Sequence, residues 1–437
     1  MVAHLLQEAV LDRSRSDMHH FHYVDNDLFC EEVPVSRIAA EIGTPFYLYS
    51  HATLRQHFRA FDDAFAGMKH LTCFSMKSNS NLAILRLFAI EGGGMDIVSG
   101  GELYRALKAG VKSEKIVYSG VGKRVEDLEY AIGAGILMFN VESAQELLKL
   151  NETALKMGKR ARVAIRVNPD VDPETHPYIS TGLKNNKFGI EITDAYGLYI
   201  MASGLEGLDV SGISCHIGSQ LTRVSPFVDA LEKVKELIKR LAMAGIRIDW
   251  LDIGGGLGIT YDREEPPHPK EYAAAIRETI GENDLTLILE PGRVIMGNAG
   301  ILVAEVLYTK STSEKTFLIV DAAMNDLMRP SLYNSYHGVQ PVKKFGREMV
   351  TADIVGPICE SGDFLAKDRD VEAFEPGELM AVMSAGAYGF SMSSNYNSRP
   401  RVAEVMVAGD SFYVIRARET FEDLTRGETI PDFMTVD

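Results

Sequence analysis

From His51 to Glu290 the chain alternates between short apolar runs and amphipathic stretches, broken by one long loop from Pro169 to Asn186. Eight runs of strand character can be read: one leading into Lys77, then 95–99, 116–119, 136–140, 162–168, 210–216, 250–254 and 285–290. Helical patterns separate them, at 53–65, 82–90, 101–109, 124–132, 143–157, near 195–202, 227–242 and 271–280. The helix over 227–242 shows the period clearly, with Leu231, Val234, Leu237, Ile238 and Leu241 on one stripe. Eight βα units in this span predict a (β/α)8, TIM-like barrel rather than a doubly wound sheet. In such a barrel the chemistry collects at the C-terminal ends of the strands. Those ends carry Lys77, Asp96 with Ser99, Ser119, Asn140, Arg166, His216, Gly254 to Gly256, and Glu290.

After about Asn298 the alternation stops. Runs at 300–309, 316–320, 378–384, 401–407 and 411–416 read as strands with no helices between them, which predicts a mostly antiparallel β-sandwich or barrel domain. The run Phe46-Tyr47-Leu48-Tyr49 has no place in the barrel and is expected to join that domain. The expected division is an N-terminal segment 1–49, a barrel 50–297 and a C-terminal β domain 298–437.

A net charge of −16 argues against nucleic acid or an anionic membrane as partner, since both select clustered positive charge. No apolar run approaches the length of a membrane span, and Met1 to Tyr23 lacks the apolar core of a signal peptide. Cys30, Cys73, Cys215 and Cys359 show no CxxC spacing and no metal-ligand pattern, so no metal and a reducing cytoplasm are expected.

Four strand ends suggest a shared chemistry. Lys77 follows the run Leu71 to Met76 and precedes Ser78-Asn79-Ser80-Asn81, an N-cap signal for the next helix. Taken alone it could be a lysine leaving a strand for solvent. Leu251-Asp252-Ile253-Gly254-Gly255-Gly256-Leu257-Gly258 lets backbone N–H groups turn onto an anion, at the strand where barrels place phosphate. Leu287-Ile288-Leu289-Glu290-Pro291-Gly292-Arg293 carries a carboxylate to the mouth, unless Glu290 is a surface group paired with Arg293. Cys215-His216-Ile217-Gly218-Ser219-Gln220 offers a flat imidazole, which could equally be a structural hydrogen-bond former. An amine, a stacking plane, an anion cradle and a carboxylate are what pyridoxal 5'-phosphate requires.

At these residues the chain resembles the barrel-type pyridoxal-phosphate-dependent decarboxylases, and within them the diaminopimelate decarboxylases. The narrower likeness rests on Asn168 to Pro173, His176, Tyr178 to Gly182 and Lys187 to Gly189, on Arg329 to Tyr333, and on Gly356 to Asp363. Phe74 and Ser78 depart from the tyrosine and alanine that the family pattern places around the lysine. The resemblance implies decarboxylation of meso-2,6-diaminopimelate to L-lysine and carbon dioxide. It makes Lys77 the residue that links the cofactor and gives Asp96 a cofactor contact. His216 would stack on the ring, and Ser219, Gly254, Gly255, Gly256, Gly292 and Arg293 would line the cofactor site. Glu290 would pair with the ring nitrogen, and Tyr388 would touch the cofactor. It also implies that Arg293, Arg329 and Tyr333 hold the distal carboxylate, although Arg329 could merely neutralise Asp326. Cys359 and Glu360 would reach the active site of a neighbouring subunit in a homodimer, the cysteine acting near the α-carbon and the glutamate at the distal ammonium. Barrel alanine racemases place an arginine at the ring nitrogen, so a glutamate there favours decarboxylation. The remaining alternatives are decarboxylation of ornithine, arginine or carboxynorspermidine, and a non-catalytic cofactor-binding barrel.

Overall fold

The computed structural model describes residues 19–171 and 187–434. Two compact units divide the chain: Thr53–Asn298 forms one, and the flanking segments, up to Ala52 and from Ala299, form the other.

The flanking unit begins with a small meander of β1 (Phe21–Val24), β2 (Asp27–Cys30) and β3 (Val33–Pro34). Strand β4 (Phe46–Ser50) follows and is buried along its whole length. Its period of two separates Phe46 and Leu48, which enter an aliphatic core with Ile301, Val303 and Val405, from Tyr47 and Tyr49. The tyrosines stack with centroids 6.2 Å apart, and their hydroxyls donate to Asp326 O (2.6 Å) and Glu404 Oε1 (2.9 Å). Both buried O–H groups are therefore satisfied.

The barrel unit supplies β5 (His70–Ser75), β6 (Gly94–Ile97), β7 (Ile116–Tyr118), β8 (Met138–Val141), β9 (Ala161–Asn168), β10 (Ile190–Glu191), β11 (Leu208–Cys215), β12 (Trp250–Asp252) and β13 (Thr286–Leu289). Eight of these close in parallel, in the order β5-β6-β7-β8-β9-β11-β12-β13 and back to β5, with β10 a short addition beside β9. The eight strands are the eight read from the sequence. Helices between them start where the sequence offers a cap: Asn81 Oδ1 accepts from Ala83 N, and Ser143 Oγ accepts from Glu146 N. Ser99, taken from the sequence as a strand-end site residue, is instead the cap of the helix Gly100–Lys108.

Inside the barrel Cys73, Val117, Met138, Ala164 and Ile288 pack into an apolar plug. Alternation along each strand puts the residue two positions on toward the same interior. Those residues are Ser75, Ser119, Asn140, Arg166 and Glu290, all buried. A polar layer thus sits directly on the apolar one, at the end where barrel chemistry is found.

The rest of the flanking unit comprises β14 (Gly300–Ser311), β15 (Thr316–Val320), β16 (Val339–Pro341), β17 (Met349–Val355), β18 (Phe364–Glu372), β19 (Leu379–Val382), β20 (Ala403–Ala408) and β21 (Ser411–Arg416). They form a mostly antiparallel sheet ordered β18-β17-β15-β14-β4-β20-β21, with β19 against β14 and β16 against β19. Two pairs run parallel, β15 with β17 and β4 with β20. As expected, β4 joins this sheet, between β14 and β20. Strands β16, β17 and β18 were not foreseen, because Phe364-Leu-Ala-Lys-Asp-Arg-Asp-Val-Glu372 mixes charges into its alternation.

Candidate active site

Strand β5 ends at Ser75, and Lys77 lies two residues further, in the 3-10 turn Met76–Ser78. The parallel register places Ser75 beside Asp96 of β6. Asp96 Oδ2 accepts from Ser75 Oγ (2.8 Å) and from Lys77 Nζ (3.2 Å). Asp96 is buried, and its second oxygen, Oδ1, has no hydrogen-bond partner among the described residues. Lys77 is therefore a tethered amine rather than one simply leaving for solvent.

The turn after β12 is held open by its glycines. Gly254 and Gly256 have φ of 66° and 119°, in the region that side chains avoid. A Cβ on Gly255 would come within 2.2 Å of Glu290 O, so the turn lies flat against the end of β13. Gly255 N donates to His216 Nδ1 (3.2 Å), which leaves the imidazole proton on Nε2. Burial and the positive charges of Arg166 and Lys77 hold His216 well below the usual histidine range, so its ring is neutral. Beside this turn Ser219 Oγ accepts from Arg293 Nε (3.3 Å) and Nη2 (3.0 Å), while Arg293 Nη1 donates to Tyr261 OH (2.7 Å).

Glu290, one residue past β13, is a buried group and not a surface carboxylate. Its Oε1 accepts from Ser119 Oγ (3.3 Å) and lies 3.5 Å from Asn140 Nδ2. Burial, with Asp252 and Asp96 nearby, raises its pKa well above the ordinary carboxylate value, against the opposing pull of Lys77. Asp252 is fully buried, and burial pushes it up to about 6 despite hydrogen bonds from Gly254 N (2.9 Å) and Asn140 Nδ2 (2.6 Å). On the adjoining side of the layer, Glu142 Oε1 accepts from Arg166 Nη1 (3.0 Å) and Gly120 N (2.9 Å), and its Oε2 from Gly189 N (3.0 Å).

In the sheet unit, Arg329 opens the short helix Arg329–Tyr333. Its Nη1 donates to Nε2 of the fully buried His337 (3.1 Å) and its Nη2 to Ser335 Oγ (3.3 Å). His337 Nδ1 lies 2.9 Å from Met383 O. A carbonyl only accepts and a guanidinium only donates, so the His337 proton is on Nδ1 and Nε2 receives Arg329. Asp326 instead feels Arg399 and Arg418 and takes Ala323 N and Asn325 Nδ2, with burial raising it to about 7. The sequence alternative of a simple Arg329–Asp326 pair gives way to this arrangement.

Cys359 is exposed, on the turn between β17 and β18. Its N–H donates to Asn397 Oδ1 (3.0 Å), and Glu360 Oε2 accepts from Tyr396 OH (2.7 Å). Asp363 anchors this turn by accepting from Ile358 N and Met324 N, each at 2.7 Å, and Ser331 Oγ donates to Gly362 O (2.6 Å). The Cys359 turn and the Arg329 helix are thereby one hydrogen-bonded piece. Tyr388 stands nearby in sequence to β19 with φ of 57°, a left-handed conformation unusual for an aromatic residue. Of the motifs quoted from the sequence, Asp172-Pro173, His176 and Tyr178 to Gly182 lie outside the described residues.

Sequence reasoning passed over Asp252, Glu142, Tyr261 and His337. Only Asp252 left a signal: a carboxylate inside the apolar run Trp250-Leu251-Asp252-Ile253, where burial requires a partner.

A parallel barrel with a tethered lysine, a glycine cradle and a buried acid at its strand ends is the architecture of pyridoxal-dependent decarboxylases. Residues 51–297 match the family model described as the pyridoxal-dependent decarboxylase, pyridoxal binding domain. A diaminopimelate decarboxylase of Pseudomonas aeruginosa is 54% identical over 413 residues, 94% of this chain and 99% of that one. The crystal structure of diaminopimelate decarboxylase from Helicobacter pylori complexed with L-lysine superposes with TM-score 0.87 at 44% identity, covering 90% of this chain and 98% of that one. The enzyme from M. jannaschii, also in complex with L-lysine, gives TM-score 0.91 at 39% identity, over 95% and 99% of the two chains. The chain belongs to the pyridoxal-dependent decarboxylases, in the diaminopimelate decarboxylase branch.

The barrel residues fit the cofactor this family uses. The glycine turn packs too closely against His216, Gly218 and Glu290 to admit side chains, Asp96 Oδ1 and Asn140 Oδ1 are buried acceptors without partners among the described residues, and an amine and an acid stand at strand ends.

Proposed function

We propose that this chain converts meso-2,6-diaminopimelate to L-lysine and carbon dioxide with pyridoxal 5'-phosphate as resident cofactor. The observation that carries the reading is the buried Glu290 at the end of β13, in the same polar layer as the Lys77–Asp96 pair. Bound pyridoxal phosphate supplies an electron sink for the charge left at the α-carbon when carbon dioxide departs. Lys77 provides the amine that holds the cofactor, and Asp96 keeps that amine in place. His216 presents a neutral flat ring for stacking. Gly254 to Gly256, with Ser219 and Gly292, receive the phosphate, the glycines letting the backbone approach it without side chains in the way. Glu290 meets the ring nitrogen and keeps it protonated, which strengthens the sink.

Recognition of the second amino-acid centre falls to Arg293, Arg329 and Tyr333 for the distal carboxylate and to Glu360 for the distal ammonium. An arginine fork matches a carboxylate in both charge and shape. Cys359 serves as proton donor near the α-carbon and Tyr388 touches the cofactor. Cys359 and Glu360 act in the site of a second copy of the chain, so the working unit is a homodimer with two composite sites. Among the described residues no helix is long and apolar enough to cross a membrane. The cytoplasm is the proposed compartment.

The direct test is lysine formation from meso-2,6-diaminopimelate by protein reconstituted with pyridoxal phosphate, with L-ornithine and L-arginine as controls. Turnover of the first alone supports the reading. Equal or better turnover of either control overturns the substrate assignment.

A further inference from the structure

We propose that Asp252 is the positioning residue for Glu290, and that the two form a buried acid pair storing one proton at the bottom of the cofactor site. The inference rests on the reading that Glu290 faces the cofactor ring nitrogen, and it assigns a role to a residue that reading does not use.

The hydrogen bonds define the pair. Asp252 Oδ1 takes Gly254 N–H at 2.9 Å and Oδ2 takes Asn140 Nδ2 at 2.6 Å, so both its oxygens already receive donors. The Asn140 amide has two hydrogens to give. One goes to Asp252 and the other to Ser119 Oγ at 3.0 Å, which frees the Ser119 hydroxyl to donate to Glu290 Oε1 at 3.3 Å. Asn140 Nδ2 stands 2.6 Å from Asp252 Oδ2 and 3.5 Å from Glu290 Oε1, so the two carboxyls meet around one amide, and the link assigned between them is a hydrogen bond from one carboxyl to the other. Two ionised carboxylates cannot make that bond, because neither carries a hydrogen. One proton on Glu290 closes the ring Glu290–Asp252–Asn140–Ser119–Glu290 with every donor used once.

Electrostatics selects the same state. Asp252 is 0% and Glu290 7% exposed, and two charged carboxylates in contact without water are strongly disfavoured. The groups facing the pair are few. Asp96 raises both members and Lys77 opposes the rise at Glu290. Cys73 on β5, Cys215 on β11 and Tyr272 on the helix Pro269–Ile280 feel the Asp252 charge, and burial keeps all three neutral. Asp252 holds the two good donors and is the anion, while Glu290 carries the proton. When the ring nitrogen is seated, Glu290 turns this hydrogen bond from Asp252 to the nitrogen. Asp252 stays behind as a second negative charge and raises the affinity of the nitrogen for that proton.

Two measurements test the pair, one without cofactor. Both carboxyls have folded-state pKa values above their unfolded ones, so the stability they contribute is full below about pH 4 and falls as pH rises through about 6 and beyond. Denaturant unfolding of the cofactor-free protein from pH 4 to 8 therefore has a slope reporting extra protons held in the folded state. Asp252→Asn lets Glu290 ionise against an amide donor, and the slope should fall by about one to two protons. Glu290→Gln removes the same contribution from the other side and is read as well if Asp252→Asn folds poorly. The second measurement is the ring-nitrogen 15N shift of labelled cofactor in the holoenzyme against pH. Asp252→Asn should lower the nitrogen's apparent pKa by about one unit or more. An unchanged slope in both variants overturns the pair. A slope that falls while Glu290→Gln leaves the nitrogen shift untouched keeps the pair but removes Glu290 from the cofactor ring, so the two readings fail separately.

Discussion

At the barrel mouth Asp96, Arg166, Asp252 and Glu290 stand near the ends of strands or one position beyond and are buried there, and Lys77 follows two positions after β5. Arg329, Cys359, Glu360 and Tyr388 of the sheet unit stand on a one-turn helix, a turn and a strained loop, and the Cys359 and Glu360 turn is fixed by hydrogen bonds to Asn397, Tyr396 and Met324, distant in sequence. A barrel strand fixes a side chain's direction through the pleat, so one conserved geometry serves eight positions. A turn fixes nothing without anchors such as Asp363 and His337. The first region should lose chemistry when a charge is removed and keep its fold. The second should lose shape when an anchor is removed.

Lys77→Ala gives the sharpest test of the first half, because no other group can hold the cofactor aldehyde. Activity and the visible absorbance of the lysine-linked cofactor should both vanish, with the unfolding transition near that of the wild type. Mixing inactive Lys77→Ala with inactive Cys359→Ala carries the comparison across subunits. In the proposed homodimer a mixed pair would hold one site with both wild-type residues, so random exchange should return up to roughly a quarter of wild-type activity. No recovery after verified subunit exchange places each site within one chain.

Glu290→Gln should slow lysine formation about a hundredfold or more while the protein still folds. A loss within about threefold, under roughly 1 kcal/mol of barrier, removes the ring-nitrogen role. In the sheet unit Asp363→Ala leaves the N–H groups of Ile358 and Met324 without their acceptor and should cost roughly 2–4 kcal/mol in denaturant unfolding. An unchanged midpoint would mean that the Cys359 turn holds itself.

His337→Leu should raise KM for meso-2,6-diaminopimelate about tenfold with kcat nearly kept, since it unseats Arg329 without touching the barrel. His337→Gln restores an acceptor for Arg329 and should recover most of the loss. Smallest of all, Tyr396→Phe removes an exposed hydrogen bond to Glu360 and should change KM by less than about threefold.

The same contrast governs what the sequence reveals. Eight βα repeats announce the barrel because the helical and strand periods are local, and Lys77, His216 and Glu290 announce themselves by ending apolar runs. Asp252 is hidden one step inside its run, and its meaning depends on Asn140 and Glu290, contributed by β8 and the end of β13. His337 sits in Tyr336-His337-Gly338, a stretch with no period at all, and only the fold brings it to Arg329. The parallel pairing of β4 with β20 joins residues from opposite ends of the chain, which no window of sequence can show.

That pairing sets a timetable for the ribosome. Strand β4 emerges early, yet its partners β14 and β20 begin at Gly300 and Ala403, on either side of a sheet completed only near the end of synthesis. At about 5–20 residues per second, β20 appears on the order of 20–70 seconds after β4. Once Leu289 has emerged the barrel has all its strands and can close, while Phe46-Tyr47-Leu48-Tyr49-Ser50, destined to be buried on both faces, still waits for β20 along one edge. Nascent chains stalled before Ala403 should therefore be the most dependent on chaperones, with a finished barrel joined to a half-paired, sticky strand.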